Sequence, residues 1–303
     1  MRPFLSLLLC VVSLSLLKSQ VRYIDDLFTE VDKSTYEYAN KDGESLKLDV
    51  YDPVGDIATD RAAIIWMHGG GFAGGKRDNG AEVKFMETAA QKGYVAVSIS
   101  YRLTRKGKSF SCDAPRHEKM ETFREASKDL WDAIYYVASN DEKFRINPAK
   151  LIIGGSSAGA EGMLNALYMR DWLYEGPSRY HDIQPMAAFS LAGAMIDARY
   201  INENNAIPAV FFHGTDDNLV PYATAPHHYC DPSDIGYIWL DGSRTIADKL
   251  KALETSYLLY TFVDARHEIS GIPFDYLNVV FKFFAAIMDG KNTMQKEVII
   301  NKK

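Results

Sequence analysis

Five consecutive residues, Gly155-Ser156-Ser157-Ala158-Gly159, spell G-x-S-x-G between the apolar stretch LII (151–153) and a helical pattern. A strand, a tight turn and a helix form the setting in which a serine hydroxyl is lifted above a sheet as a nucleophile. Small residues two before and two after the nucleophile let strand and helix pass close by. Ser157 has Gly155 and Gly159 at those positions, whereas Ser156 has Gly154 and Ala158, so Ser157 is the better candidate. The pattern also has a bland reading, a connection that only needed room. The chemistry it suggests is acyl transfer, and that requires partners elsewhere in the chain.

MHGGGFAGG (67–75) supplies one set of partners. Three glycines after a histidine leave backbone N–H groups free to point at a ligand. In acyl transfer the carbonyl oxygen gathers negative charge, and losing one donor aimed at it costs about 3–4 kcal/mol in other enzymes. Gly70 and Gly71, with the N–H of Ala158, are the expected oxyanion donors, and His68 is expected to fix the loop by a hydrogen bond. A phosphate loop would need G-x-x-x-x-G-K-[ST], a spacing the run lacks.

A serine hydroxyl is a poor nucleophile until a base takes its proton, and the base needs an orienting acid. Both follow in the order serine, acid, histidine. TDDNLVP (215–221) comes after PAVFFHG, and DARHEISGIP (264–273) comes after SYLLYTFV. Asp216 and Asp217 both qualify as the acid by place, and His267 is the expected base. His213 ends an apolar run and is expected to be packed or hydrogen-bonded locally. His227 and His228 lie in a loop, lining a pocket or simply solvated, and His117 and His181 are expected at the surface. His227, His228, Cys230 and Asp231 form a local cluster that could hold zinc, but the spacing matches no common site, and no metal is expected.

The elements that must position these residues follow from periodicity. LKLDVYDP (46–53) alternates like a half-buried strand. AAIIWMHG (62–69), YVAVSISYR (94–102), LIIGGS (151–156), MAAFSLAG (186–193), PAVFFHG (208–214) and SYLLYTFV (256–263) are apolar runs suited to strands buried on both faces. Helical patterns lie between them, over 81–93, 119–140, 158–171, 245–254 and 274–290. In the second, Phe123, Leu130, Ile134 and Val137 make one apolar stripe. Residues 20–45 read as a polar lead-in with room for a short helix. Strands alternating with helices mean a parallel sheet and an α/β fold.

The chain has 303 residues, 47% hydrophobic and 24% charged, with a formal net charge of −6 and no long basic run. Nothing favours nucleic acid or an anionic membrane surface as a partner. Arg2 followed by FLSLLLCVVSLSLL (4–17) reads as a signal peptide over 1–19, too short for a comfortable membrane span. The expectation is therefore export, to the periplasm or outside the cell, of a single catalytic domain over 20–303 with no membrane anchor. Cys10 leaves with the leader. Cys112 and Cys230 remain, an even pair suited to a disulfide in an exported chain, the alternative being two unpaired thiols.

At this point the residues resemble a known family. HGGGF (68–72), SYRL (100–103), INPAKLIIGGSSAGA (146–160) and HGTDDNLVP (213–221), with a final histidine loop, resemble α/β-hydrolase carboxylesterases over roughly residues 45–290. The branch they look most like is the exported esterases with an HGGG oxyanion loop, which includes hormone-sensitive-lipase-like and bacterial polysaccharide-side-chain esterases. The resemblance implies an α/β-hydrolase fold with a mostly parallel eight-stranded sheet flanked by helices. It also implies a triad of Ser157, Asp217 and His267, with Asp217 favoured over Asp216 by its place in the family pattern. No cofactor is implied. The chain departs from the pattern in having Ser156 where lipase-like members often have Asp, and SYRLTRKG where they often continue Y-R-L-A-P. Only residues 20–45 precede the first strand, so little or no cap is expected, and an open site would suit bulky or polymer-attached esters. Segments 103–118 and 222–244 are the expected rims, with Cys112 in one and Cys230 in the other. The activity implied is hydrolysis of small acyl or feruloyl esters through an acyl-enzyme. Alternatives on the same fold are a serine peptidase, against which the lack of a propeller or large cap weighs, and a lipase, which would show a long apolar lid helix. A binding protein that kept the fold usually lacks a triad residue, and here all three are present.

Overall fold

The computed structural model describes residues 20–174, 178–291 and 293–301. The expected leader, 1–19, lies outside the described residues. The strands are β1 (Val31–Lys41), β2 (Glu44–Pro53), β3 (Arg61–Met67), β4 (Val95–Ile99), β5 (Ile146–Ser156), β6 (Ala187–Leu191), β7 (Ala194–Met195), β8 (Ala209–Gly214), β9 (Thr224–Pro226), β10 (Trp239–Gly242), β11 (Tyr257–Val263) and β12 (Gln295–Asn301). The helices are α1 (Gly80–Gln91), α2 (Arg116–Ala138), α3 (Asp141–Phe144), α4 (Ala158–Tyr168), α5 (Arg170–Leu173), α6 (Ser243–Ala252) and α7 (Leu277–Met288).

Among the described residues nine strands form one sheet in the order β1-β2-β4-β3-β5-β6-β8-β11-β12, and β7-β10-β9 form a small second sheet. In the large sheet only the β1–β2 and β2–β4 pairs are antiparallel. From β4 to β12 every pair is parallel. Its central strands are buried on both faces, and their alternate residues feed two separate cores. Ala63, Ile65 and Met67 of β3 face α2 and α4, joining Leu130, Trp131 and Leu164. Ala62, Ile64 and Trp66 face the opposite layer with Phe85 of α1 and Phe284 of α7. This is why these strands read as continuous apolar runs rather than as alternations.

The sheet has nine strands where eight were expected, and both surprises are near its edges. β1 occupies part of the expected lead-in and has no fully buried residue, so its sequence carries little alternation. Tyr36 and Tyr38 are its partial anchors against the core. β12 follows the last helix and adds parallel to β11 through QKEVIIN, which buries only parts of Val298 and Ile300. Residues 20–45 hold turns and strand and no helix. Among the described residues no helix is long and apolar enough to cross a membrane.

Candidate active site

β5 runs to Ser156 and α4 begins at Ala158, so a single residue, Ser157, makes the reversal. It does so with φ 50° and ψ −123°, a left-handed backbone that a non-glycine residue adopts only when its surroundings hold it there. The Ser157 N–H donates to the Leu191 carbonyl at 2.8 Å, and the Ser157 carbonyl accepts from the Glu161 N–H at 2.9 Å. The flanking glycines are required by contact. A Cβ on Gly159 would stand 2.1 Å from the Met67 carbonyl oxygen, and one on Gly155 would stand 2.5 Å from the Gly159 backbone. The turn thus aims the Ser157 hydroxyl away from the sheet, and its Oγ lies 2.7 Å from His267 Nε2. The neighbouring Ser156 hydroxyl points elsewhere and donates to the Ser270 carbonyl at 2.7 Å, tying the elbow to the histidine loop.

His267 stands just beyond β11, in a short 3-10 turn. Its Nδ1 is 2.7 Å from Asp217 Oδ2. The other carboxylate oxygen of Asp217 accepts the N–H groups of Leu219 and Val220 at 2.9 and 3.0 Å, so the acid is fixed by its own loop. The two adjacent aspartates part company here: Asp217 is buried and faces His267, whereas Asp216 is exposed. Burial alone would raise the Asp217 carboxyl, but hydrogen bonds and charge from His213 and His267 outweigh it and hold the group well below the usual carboxylate range. His213 is buried and bonded locally, to Ser243 Oγ at 2.8 Å and the Val220 carbonyl at 3.1 Å. Sequence reasoning missed that the same ring reaches Asp217 Oδ2, at 3.3 Å.

The glycine loop faces the elbow from the end of β3. Gly70 and Gly71 have φ of 124° and 62°, and both are exposed. A Cβ on Gly70 would fall 2.3 Å from the Gly74 carbonyl oxygen. The N–H groups of Gly70, Gly71 and Ala158 have no acceptor among the described residues. His68 is buried, its Nδ1 lies 2.7 Å from the Gly69 carbonyl, and its ring stacks on Tyr101 with centroids 4.6 Å apart. The Tyr101 hydroxyl in turn donates to the His68 carbonyl at 2.9 Å, so this histidine belongs to the loop's frame. Burial pushes its imidazole below the ordinary value.

Cys112 and Cys230 are joined by a disulfide that ties the segment before α2 to the segment between β9 and β10. The Cys230 sulfur is therefore no free thiolate for a zinc ion beside His227 and His228. His227, expected in a pocket wall or in solvent, is instead fully buried, with Phe110 and Phe123 against its ring. Its Nε2 is 3.4 Å from the carboxylate of Glu161, which is also buried. Burial and the nearby Asp217 push the Glu161 carboxyl well up, with Lys119 opposing, while burial pushes the His227 imidazole well down. Lys119, fully buried, donates to the Gly236 carbonyl at 2.9 Å. Nothing local in the sequence marks this polar group, because its members come from α2, α4 and the β9–β10 connection. His117 and His181 are exposed.

A carbonyl carbon placed against Ser157 Oγ would have a base behind the hydroxyl and an acid behind the base, with acceptor-free N–H groups in the elbow and the glycine loop beside it. The main sheet, the elbow after β5 and the acid and histidine loops after β8 and β11 are the arrangement of a known fold. The chain has the α/β-hydrolase fold. A family model described as BD-FAE matches residues 48–172, a span that holds the glycine loop and the elbow but ends before Asp217 and His267. Lipase 2 of Moraxella sp. is 31% identical over 134 residues, 43% of this chain and 27% of that protein. An AB hydrolase superfamily protein of Schizosaccharomyces pombe is 31% identical over 121 residues, 39% of this chain and 31% of its own length. The chain thus spans less than a third of these curated relatives. Among solved structures, Thermogutta terrifontis esterase 2 phosphorylated by paraoxon superposes with a TM-score of 0.62 at 20% identity, covering 89% of this chain and 98% of that one. The same esterase phosphoramylated by tabun gives 0.61 at 20% identity, covering 85% and 93%. At that identity the likeness is one of fold.

Proposed function

We propose that the protein is a serine carboxylic-ester hydrolase that works through an acyl-enzyme, with one catalytic domain over residues 20–303. The observation that carries this reading is the unbroken relay from Ser157 Oγ to His267 Nε2 and from His267 Nδ1 to Asp217 Oδ2, 2.7 Å at each step. Ser157 Oγ attacks the ester carbonyl carbon as His267 Nε2 takes its proton. Asp217 holds the imidazole in the tautomer that leaves Nε2 free and stabilises the imidazolium that forms. The N–H groups of Gly70, Gly71 and Ala158 receive the oxyanion. His267 passes the proton to the departing alcohol oxygen; water, deprotonated by His267, then attacks the acyl carbon, and His267 returns that proton to Ser157 Oγ as the acid leaves. No cofactor enters the scheme. The relatives named as lipase and esterase support the reaction class, and the resemblance of HGGGF and GSSAG to exported esterases supports small acyl or feruloyl esters, with polysaccharide side chains as one carrier. The disulfide supports an oxidising compartment, in keeping with export by the 1–19 segment.

The test is hydrolysis of 4-nitrophenyl acetate together with labelling by a fluorophosphonate probe. The wild type is expected to cleave the ester and take the label at Ser157, and Ser157→Ala is expected to do neither. Equal turnover by both proteins would sink the assignment.

A further inference from the structure

The segment between β9 and β10 holds a turn that the proposed chemistry has not used. His228 and Tyr229 are consecutive non-glycine residues with left-handed φ, 56° and 53°. Such backbone persists only where neighbours hold it, and it gathers at functional sites. Here the neighbours are clear. The His227 N–H donates to the Ile238 carbonyl and the His228 N–H to the Leu219 carbonyl, each at 2.9 Å. The next residue, Cys230, is bonded to Cys112.

The turn puts the His228 ring between two parts of the site. On one side its backbone hangs on Leu219, whose own N–H is held by Asp217 Oδ1 at 2.9 Å. On the other its ring meets Phe110 edge-on at 6.4 Å between centroids, and Phe110 packs on Phe72 of the glycine loop at 5.1 Å. Unlike His227, His228 keeps part of its surface open to solvent. Its ring nitrogens have no hydrogen-bond partner among the described residues. Burial, with the charges of Lys119 and His267 acting the same way and Asp217 against them, pushes the imidazole down to about 4. The ring is therefore neutral, with one N–H to give and one nitrogen to accept.

We propose that His228 is a specificity-determining residue that hydrogen-bonds a hydroxyl on the alcohol half of the ester, favouring esters of hydroxylated alcohols over those of plain alkyl alcohols. The inference rests on the ester-hydrolase reading. His267 must protonate the departing alcohol oxygen, so the alcohol lies on the His267 side of Ser157. His228 hangs on the loop that holds Asp217, and the charges of His267 and Asp217 both reach its ring, which ties it to that side of the site. Being neutral, it can pair with a hydroxyl, whereas an alkyl chain would leave its nitrogens unpaired.

The experiment compares matched esters of one acid, ethyl acetate and 2-hydroxyethyl acetate, with ethyl butanoate as an acyl control. The wild type, His228→Ala and His228→Asn are assayed for kcat and KM, with thermal unfolding measured for each. Asparagine tolerates the left-handed backbone and keeps a donor and an acceptor. His228→Ala is expected to lose about three- to tenfold in kcat/KM on 2-hydroxyethyl acetate, mainly through KM, and less than about twofold on ethyl acetate. His228→Asn is expected to recover part of the loss. Equal loss on both acetates would make His228 a structural residue and overturn the inference, as would a change confined to the acetate–butanoate ratio. If the wild type cleaves all three esters without preferring the hydroxylated alcohol, the His228 inference alone falls. If the wild type cleaves none and takes no fluorophosphonate at Ser157, the ester-hydrolase reading itself falls and carries this inference with it.

Discussion

Replacing Asp217 by Asn tests the relay at its most buried point. The substitution keeps the shape and keeps an oxygen for the Leu219 and Val220 N–H groups, now 2.9 and 3.0 Å from Oδ1. With the oxygen so held, the new NH2 group replaces Oδ2, which lies 2.7 Å from His267 Nδ1. Two donors cannot face each other at that distance. The imidazole must carry its proton on Nε2 instead, pointing it at Ser157 Oγ, and it can no longer accept the serine proton. The analogous change in a serine protease triad lowers kcat by about 10⁴. That corresponds to about 5.4 kcal/mol of transition-state stabilisation.

The expected result is a fall in kcat of three to four decades for Asp217→Asn on 4-nitrophenyl acetate, with KM little changed. Asp216→Asn, at an exposed neighbour whose carboxylate accepts from the Thr215 hydroxyl, is the control and should stay within about twofold. Folding supplies a second readout with a definite sign. The Asp217 carboxyl is held below its unfolded value, so its charge stabilises the fold above the usual carboxylate range, and this contribution fades as pH falls through the lower folded value. The stability gap between wild type and Asp217→Asn should therefore be full at pH 7 and narrow toward pH 3. If Asp217→Asn keeps more than a tenth of wild-type kcat, or if Asp216→Asn is the crippled variant, the tautomer argument is wrong.

Two further outcomes follow from the rim. The Cys112–Cys230 bridge spans 118 residues of sequence, so the double Cys→Ser variant should lose about 2–4 kcal/mol in urea unfolding; a loss below about 1 kcal/mol would mean that the noncovalent contacts of the rim already hold the two segments. Burial pushes the Lys119 ammonium from near 10.5 down to about 8, against the pull of Glu161 and other acids. Below pH 8 the cost of burying that charge is complete, and between about 8 and 10 the folded chain sheds the proton before the unfolded one does. Stability should rise across that window by up to about 1.4 kcal/mol per pH unit, a rise that Lys119→Met should lack; identical slopes in the two proteins would refute it.

What could be read from the sequence divides along physical lines. Strands buried on both faces announce themselves, because β3, β4, β6 and β8 have no exposed residue and carry at most one polar side chain each, so the apolar run dominates. β1 and β12 were hidden for the converse reason. Edge strands get most of their order from a partner's backbone and need few apolar side chains, and VDKSTYEYANK and QKEVIIN supply few. The two- to four-residue strands β7, β9 and β10 are too short for any periodicity to show.

The same division runs through the site. The places of Ser157, Gly70 and Gly71 are written in local pattern, since tight turns demand small residues at fixed offsets, and the close approaches at Gly155 and Gly159 show why. The choice between Asp216 and Asp217 had no local basis and needed family resemblance, because adjacent loop residues differ only in which way the chain turns them. His227 and His228 were alike on the page, two histidines in a loop. What separates them is one left-handed residue: it sends the first ring inward onto Phe123 and Glu161 and leaves the second beside Phe110 with its nitrogens unpaired. That φ is imposed from outside the pair, by Leu219, Ile238 and the bridge at Cys230. Residues whose surroundings come from distant segments are the ones a linear reading cannot assign.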